Sequence, residues 1–394
     1  MSKSQFLAAN DKLTAWCKSA LKFWAETAKD PRGGYAEHLH MDGQPDFDHL
    51  RRVRVQSRQA YVYAHAGDLG WFDGAKAASD QAWEFATGAG SAGGHFIPTP
   101  ERGCAHLVQG DGKIHDDMRD TYAQAFILLA GAWRYRAFND MSSLNIAEET
   151  LRFLNKNVKA DNGGWLEALP QPKSFQRRQN PHMHLFEAFI ALHVATENES
   201  YLSLANDMFE LFKDHFFDSQ TGVLLEYFNP DWSPEGDGGP TEPGHMMEWV
   251  WLLHCYSEIS GRDMREYMTT LYDNAIKYGW NDKLGLICDS VNIDGSPHSP
   301  TLRTWPQTEL LKASIARAAI DDSDEMYAAA ARTIDALFKY YLSVPIEGGW
   351  VDKLSPEGEI ISTVMPTSTF YHLFCAAAEA DKFCLLYTSP SPRD

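Results

Sequence analysis

The chain has 394 residues, with 35 Lys or Arg against 54 Asp or Glu, a formal net charge of −19, and 12% aromatic residues. A field of that sign repels nucleic acid and anionic membranes and disfavours a multiply phosphorylated ligand, whereas a neutral sugar meets no such barrier. The aromatic content suffices for one large core, and no apolar run reaches the ~18 residues of a membrane span.

Met1 to Asn10 lacks the apolar stretch of a signal peptide. A first helix is predicted from Phe6 to Lys29, with Leu7, Leu13, Trp16, Leu21 and Trp24 along it. The turn Gly33-Gly34-Tyr35-Ala36-Glu37-His38 follows, then helices at 49–66 and 74–87. The turn returns as Gly93-Gly94-His95-Phe96-Ile97-Pro98, before helices at 118–138 and 143–158. Gly163-Gly164-Trp165-Leu166-Glu167-Ala168 precedes helices at 180–195 and 201–217. Gly222-Val223-Leu224-Leu225-Glu226-Tyr227 precedes helices at 244–259 and 264–278. Gly285-Leu286-Ile287-Cys288-Asp289-Ser290 precedes helices at 305–320 and 324–342. Gly348-Gly349-Trp350-Val351-Asp352-Lys353 precedes a last helix at 367–380.

The last Gly of each turn stands at 34, 94, 164, 222, 285 and 349, so the turns recur at intervals of 58 to 70 residues. A repeat of that length means a repeated supersecondary unit, and apolar–polar alternation after each turn reads as short strands. Six turns with twelve helices fit an all-α (α/α)6 barrel, six helices inside six, with short β-hairpins in the connecting loops. A stacked α-solenoid is the competing arrangement. Inner helices are apolar nearly all round, as are Ala123–Ala132 and Met246–Leu253. No linker divides the chain, so residues 1–383 are expected as one domain. Ser233–Pro240 is the most flexible run and reads as an active-site loop. The tail, Cys384-Leu385-Leu386-Tyr387-Thr388-Ser389-Pro390-Ser391-Pro392-Arg393-Asp394, has no helical period. It reads as the translation of a sequencing adapter, non-native over 384–394. The six cysteines, at 17, 104, 255, 288, 375 and 384, have no C-x-x-C spacing. That points to reduced thiols and a cytoplasmic protein.

Counting from the last Gly of each turn aligns the repeats. His245 and His372 both stand 23 residues on, His184 and Trp305 20, Arg58 24 and Tyr122 28. All fall near the start of an inner helix, so they are expected to converge on one rim. His245, Glu248 and Trp249 share one helix face. His182 and His184, two apart on a helix, are poorly placed to share a metal, and no metal or other cofactor is expected. Arg58 lies among Val53, Val55, Ala60 and Tyr61, where an unused charge would be costly. A carboxylate pair, Glu248 with Glu309 or Asp120, would suit an inverting glycosidase, and a sugar-binding protein is a further reading, but the rim is histidine-led.

Arg51-Arg52-Val53-Arg54-Val55-Gln56-Ser57-Arg58-Gln59, Asn180-Pro181-His182-Met183-His184, Pro243-Gly244-His245-Met246-Met247-Glu248-Trp249, Arg303-Thr304-Trp305-Pro306-Gln307-Thr308-Glu309 and Tyr371-His372-Leu373 resemble the N-acylglucosamine 2-epimerase superfamily. The resemblance runs from about residue 10 to 383. It implies the (α/α)6 barrel, a monosaccharide substrate, chemistry without a metal or redox cofactor, and a monomer or homodimer. It implies His245 and His372 as the acid/base pair. Arg58, Tyr122, Asn180, His184, Glu248 and Trp305 would bind substrate: Arg58 at the enediolate oxygen, Trp305 against the sugar, Glu248 at a hydroxyl or orienting His245. Within the superfamily the chain looks most like the bacterial mannose isomerases, because Phe374 stands where the epimerases carry an Arg two residues after the histidine. The reaction then expected is aldose–ketose isomerisation through a cis-enediol, with 2-epimerisation of N-acylglucosamine or another sugar as the alternative.

Overall fold

A computed structural model describes residues 2–89, 97–171 and 176–388. Twelve α-helices are present among them: α1 (Ser2–Thr27), α2 (Val53–Asp68), α3 (Ala75–Thr87), α4 (Thr121–Phe138), α5 (Met141–Phe153), α6 (Gln179–Thr196), α7 (Glu199–Leu211), α8 (Pro243–Ser260), α9 (Arg265–Gly279), α10 (Thr304–Asp321), α11 (Asp324–Leu337) and α12 (Thr367–Thr388). The even-numbered helices pack each on the next, and α12 returns to α2. The ring is closed, and the solenoid reading falls. Each odd helix from α3 to α11 covers the inner helix before it, and α1 packs on α12 and α11 to complete the outer layer.

Inner and outer helices differ as their burial requires. Residues 123–132 of α4 and 243–253 of α8 are buried without interruption, so no polar stripe is needed. The outer helices α5, α7 and α11 end in a single π-turn, at Leu154–Val158, Phe212–Phe216 and Phe338–Leu342. Helix α2 starts four residues later than expected because Arg51–Arg52 is extended and pairs with Leu107–Val108. Helix α12 runs to Thr388, into the tail expected to be non-helical, because Phe383 and Cys384 are buried and Phe383 packs on Phe6 and Tyr327. Residues 389–394 and the turn residues Gly93–Phe96 lie outside the described residues.

Among the described residues, three short hairpins occur within connecting loops, at 107–116, 280–287 and 290–299. The other strand pairs join one repeat to the next. Arg119–Asp120 pairs with Ala168–Leu169, Arg177–Arg178 with Tyr227–Phe228, and Leu302–Arg303 with Lys353–Leu354. His38–His40 pairs with Val364–Pro366 and closes the circle. This stitching answers a definite need, since the first N–H groups of a helix have no partner inside it. The N–H of Thr121, Gln179, Thr304 and Thr367 donates to the backbone carbonyl of Glu167, Glu226, Asp352 and Glu37 respectively. Each acceptor is the acidic residue of the neighbouring turn.

The turns are clamped from within. Gln56 receives the N–H of Tyr35 at 2.8 Å and donates to its carbonyl at 2.9 Å. Gln307 holds Ile287 in the same way. His182 is the counterpart in α6: Trp165 N–H donates to Nε2, and Nδ1 donates to the Arg178 carbonyl, each at 3.0 Å. Burial pushes His182 down to about 3, so it is neutral, as this pattern requires. Gly164 lies against it at φ +65°, where a Cβ would stand 2.7 Å from His182 Nε2, hence the glycine.

Candidate active site

All six inner helices begin at the same rim, and their first turns line a cavity of about 350 Å³. Arg58, Tyr122, Asn180, His184, His245, Glu248, Trp305 and His372 all line it. So do Arg52, Glu242, Arg303 and Asp352, which the sequence reading did not single out. Trp249 does not. It is wholly buried between Phe186 and Phe212, both stacked on it. Ser233–Pro240 does not line the cavity either. Within it, the Gly238 carbonyl accepts the Glu226 N–H.

Trp305 lies between the two rim histidines, its ring 5.1 Å from that of His245 and 5.5 Å from that of His372. Gly244 makes room for it, since a Cβ there would stand 2.6 Å from the indole.

The histidines are held differently. His245 Nδ1 meets Glu226 Oε1 at 2.9 Å, and its Nε2 meets Asn180 Nδ2 at 2.9 Å. Glu226 is itself held, because Gln179 Nε2 donates to its Oε2 at 2.8 Å and Trp249 Nε1 donates to Gln179 Oε1 at 2.8 Å. The expected orienting residue, Glu248, makes no hydrogen bond to His245. One turn of helix behind His245, it reaches the imidazole only through its charge. Burial opposes a proton on His245, but Glu226 and Glu242 outweigh it and raise the group to about 10. His245 is therefore an imidazolium at neutral pH.

His372 Nδ1 donates to Glu309 Oε1 at 2.8 Å, which leaves Nε2 for the cavity. Glu309 Oε2 lies 2.6 Å from Lys312 Nζ, and both side chains are fully buried. Burial disfavours the ammonium, but Glu309 and Glu248 outweigh it and hold Lys312 well above its ordinary range. Burial, with Arg58 and Lys312, holds His372 well below the usual imidazole range, so it is neutral. His184 is also neutral, pushed down to about 3 chiefly by burial, with Nδ1 on Glu187 Oε2 at 3.0 Å.

Arg58 sits 4.3 Å from the Phe126 ring and 4.8 Å from that of Tyr371, and its Nη2 donates to Tyr122 Oη at 2.7 Å. Arg58 Nε, Asn180 Oδ1 and Glu248 Oε1 are buried without a hydrogen-bond partner. The other cations on the lining are already paired: Arg52 with Glu37, and Arg303 with Glu242 and Asp289.

Two groups in this region have metal-ligand spacing, His184 with Glu187 and Glu248, and Glu248 with Glu309 and His372. Lys312 already supplies a positive charge to Glu309 and Glu248, and Glu187 also accepts from Tyr371 Oη at 2.5 Å. A metal ion would have to displace these partners. The glycosidase pairing also fails: Glu248 and Glu309 oxygens lie within 4.8 Å of each other, against ~6.5–9.5 Å for an inverting pair. Asp120 is bound to His106 and caps α4 through Ala123 N–H.

The N-acylglucosamine 2-epimerase (GlcNAc 2-epimerase) family model matches residues 33–376. The chain belongs to that family. It is a sugar isomerase or epimerase. It is 34% identical over 381 residues, 94% of this chain and 96% of the relative, to a mannose-6-phosphate isomerase of Rhizobium meliloti (strain 1021). The fold matches a cellobiose 2-epimerase of Spirochaeta thermophila DSM 6192 with a TM-score of 0.85 at 22% identity, over 98% of this chain and 99% of that one. It matches a D-mannose isomerase with a TM-score of 0.84 at 21% identity, over 94% and 97%.

The sequence reading missed Glu226 and Lys312. A signal for Glu226 was present: Glu37, Glu167, Glu226, Asp289 and Asp352 follow the last Gly of their turns by three or four residues. Four of these side chains grip the start of their own inner helix, on Arg52, Arg178, Arg303 and Thr369. The fourth repeat puts His245 in that place. Lys312 gave no signal, since a lysine mid-helix reads as surface.

Proposed function

We propose that the chain interconverts an unphosphorylated aldose and its 2-ketose, of the mannose–fructose type, by proton transfer between C1 and C2 through a cis-enediol. The observation that carries this is the pair of histidines on either side of Trp305, one charged and one neutral, each fixed by its own carboxylate. His372 Nε2 is the base: it takes the C2 proton and returns a proton to C1. His245 is the acid: it gives its proton to O1 and recovers one from the O2 hydroxyl. As His245 gives up its proton, Nε2 becomes an acceptor for Asn180 Nδ2. While it is charged, the turned amide offers Oδ1, which otherwise has no partner.

The enediolate is negative, and its environment is positive. Arg58 points a guanidinium into the cavity from an aromatic cage, and six helix N-termini face the same space. Fixed donors in a dry site stabilise such charge far better than water does. Glu248 Oε1, and whichever atom of the Asn180 amide His245 does not engage, are matched to sugar hydroxyls.

A phosphorylated substrate is disfavoured because Arg52 and Arg303 are committed to carboxylates. The isomerase outcome is supported by the isomerase relative that spans nearly the whole chain. Phe374 does not carry that choice, since it is buried against His65 and Trp71 and does not line the cavity.

The test is incubation with mannose and, separately, mannose 6-phosphate in deuterium oxide. Fructose carrying solvent deuterium at C1, formed from mannose in preference to its phosphate, is the expected result. Glucose without fructose would make the protein a 2-epimerase, and preference for the phosphate would reverse the substrate assignment. His372→Ala and His245→Ala each lose ~10²-fold or more of the rate.

A further inference from the structure

We propose that His38, His40 and Asp46 form a binding site for a zinc-class divalent transition-metal ion on the rim of the barrel, apart from the reaction site. One ligand atom from each lies within 4.8 Å of the other two. His38 Nε2 and Asp46 Oδ2 are 3.5 Å apart. A tetrahedral ion with ~2.1 Å bonds needs ligands ~3.4 Å apart, so this edge is formed already, and only the exposed His40 has to swing inward.

The backbone explains why these side chains meet. His38 and His40 are two apart on a strand and project from the same face, with ring centroids 5.5 Å apart. The strand is fixed by pairing with Val364–Pro366 and by the buried Leu39 between the histidines. The turn that follows is closed by His40 N–H on the Gln44 carbonyl at 2.8 Å. Asp46 Oδ1 then accepts from the N–H groups of Asp48 and His49, at 3.0 and 3.1 Å, which leaves Oδ2 toward His38. His49 stands beside this trio but outside it, and would have to move in to join as a fourth ligand. Its ring centroid is 5.0 Å from that of His38, and its Nδ1 is held by the Leu50 carbonyl at 2.8 Å, so Nε2 is the free nitrogen. A ring held through its other nitrogen is the usual state of a metal-bound histidine.

Two or three imidazoles with one carboxylate suit Zn²⁺, Ni²⁺ or Cu²⁺ over Mg²⁺ or Ca²⁺. Because the strand pairs with the segment that enters α12, a bound ion would tie the 38–49 loop to the rim that carries Pro366 and Ser368.

The experiment strips the full-length protein with a chelator and titrates Zn²⁺ against a chromogenic competitor, with thermal melting in parallel. The expected result is one ion per chain and a raised melting temperature. Binding weakens at least tenfold in His40→Ala, whose side chain is exposed and whose fold should be undisturbed, and is absent from the His38→Ala/His40→Ala double variant. It is unchanged in His372→Ala and in His184→Ala, which remove the histidines of the two internal clusters. Absence of Zn²⁺ binding, binding that survives the double variant, or binding lost in His372→Ala or His184→Ala would each overturn the assignment.

Discussion

Lys312→Met tests the buried chain Lys312–Glu309–His372 directly. The methionine keeps most of the volume and the contact with Trp251, over which Lys312 Nζ lies at 3.6 Å. It removes the charge 2.6 Å from Glu309 Oε2. Breaking one side of a buried ion pair costs about 3–5 kcal/mol, because the other charge is left alone. For a chain of 394 residues the unfolding entropy is roughly 0.8 kcal/mol/K, so the melting temperature should fall by about 4–6 °C. Burial, with Glu248 and Glu187, holds the Glu309 carboxyl well above its ordinary range, and Lys312 is the main influence opposing that rise, so without the lysine Glu309 is held firmly as the neutral acid. His372 Nδ1 then faces a neutral acid, and Nε2 becomes a poorer base. The loss should fall on kcat, by at least tenfold, with KM little changed. The Lys312→Met/Glu309→Gln double variant removes both charges and should regain most of the stability but not the rate. Calorimetry and steady-state kinetics read the two effects separately. A Lys312→Met protein with wild-type melting temperature and wild-type kcat would refute the chain.

The pH–rate profile should be broad. Its acid limb follows protonation of His372, held well below the ordinary imidazole value of ~6.5, and its alkaline limb follows loss of the His245 proton near about 10. Glu226→Gln removes the chief influence raising His245 and should bring the alkaline limb down by ~1 unit or more; an unmoved limb would deny His245 the acid role. Folding stability carries the same signature. His245 is raised in the folded state above its unfolded ~6.5, so its contribution is complete below about pH 6.5 and is lost as the pH rises toward about 10, measurable as a falling denaturation midpoint. Gly244→Ala pushes a methyl toward Trp305, with an overpacking cost of ~1–3 kcal/mol, and should raise KM and alter tryptophan fluorescence. Trp249→Phe removes the hydrogen bond to Gln179 that steadies Glu226, and should shift the alkaline limb less than Glu226→Gln does.

The barrel was legible because its causes are local and repeated. Glycine turns at a regular spacing, inner helices apolar all round and outer ones apolar on one face are properties of short windows, and six copies leave few ways to bury so much surface. The register between His245 and His372 came from the same repetition, and it brought Arg58, Tyr122, Asn180, His184, Glu248 and Trp305 to one rim. Sequence also placed His184, His245 and His372 on the wall of one cavity.

What each histidine is hydrogen-bonded to was decided by tertiary structure alone. Both are imidazoles near the start of an apolar helix, indistinguishable by spacing. One meets Glu226 from its own turn and Asn180 from the neighbouring inner helix, with Glu242 nearby, and is charged. The other meets Glu309 from α10, whose second oxygen is committed to Lys312, and is neutral. The sequence put Glu248 behind His245 because three residues on a helix is a short distance. The folded barrel brings Glu226 closer from nineteen residues away, because the turn strand crosses over the helix end. Protonation depends on the sum of charges within a few ångströms in a dry interior, and that sum exists only once six helices from across the chain have closed into a ring.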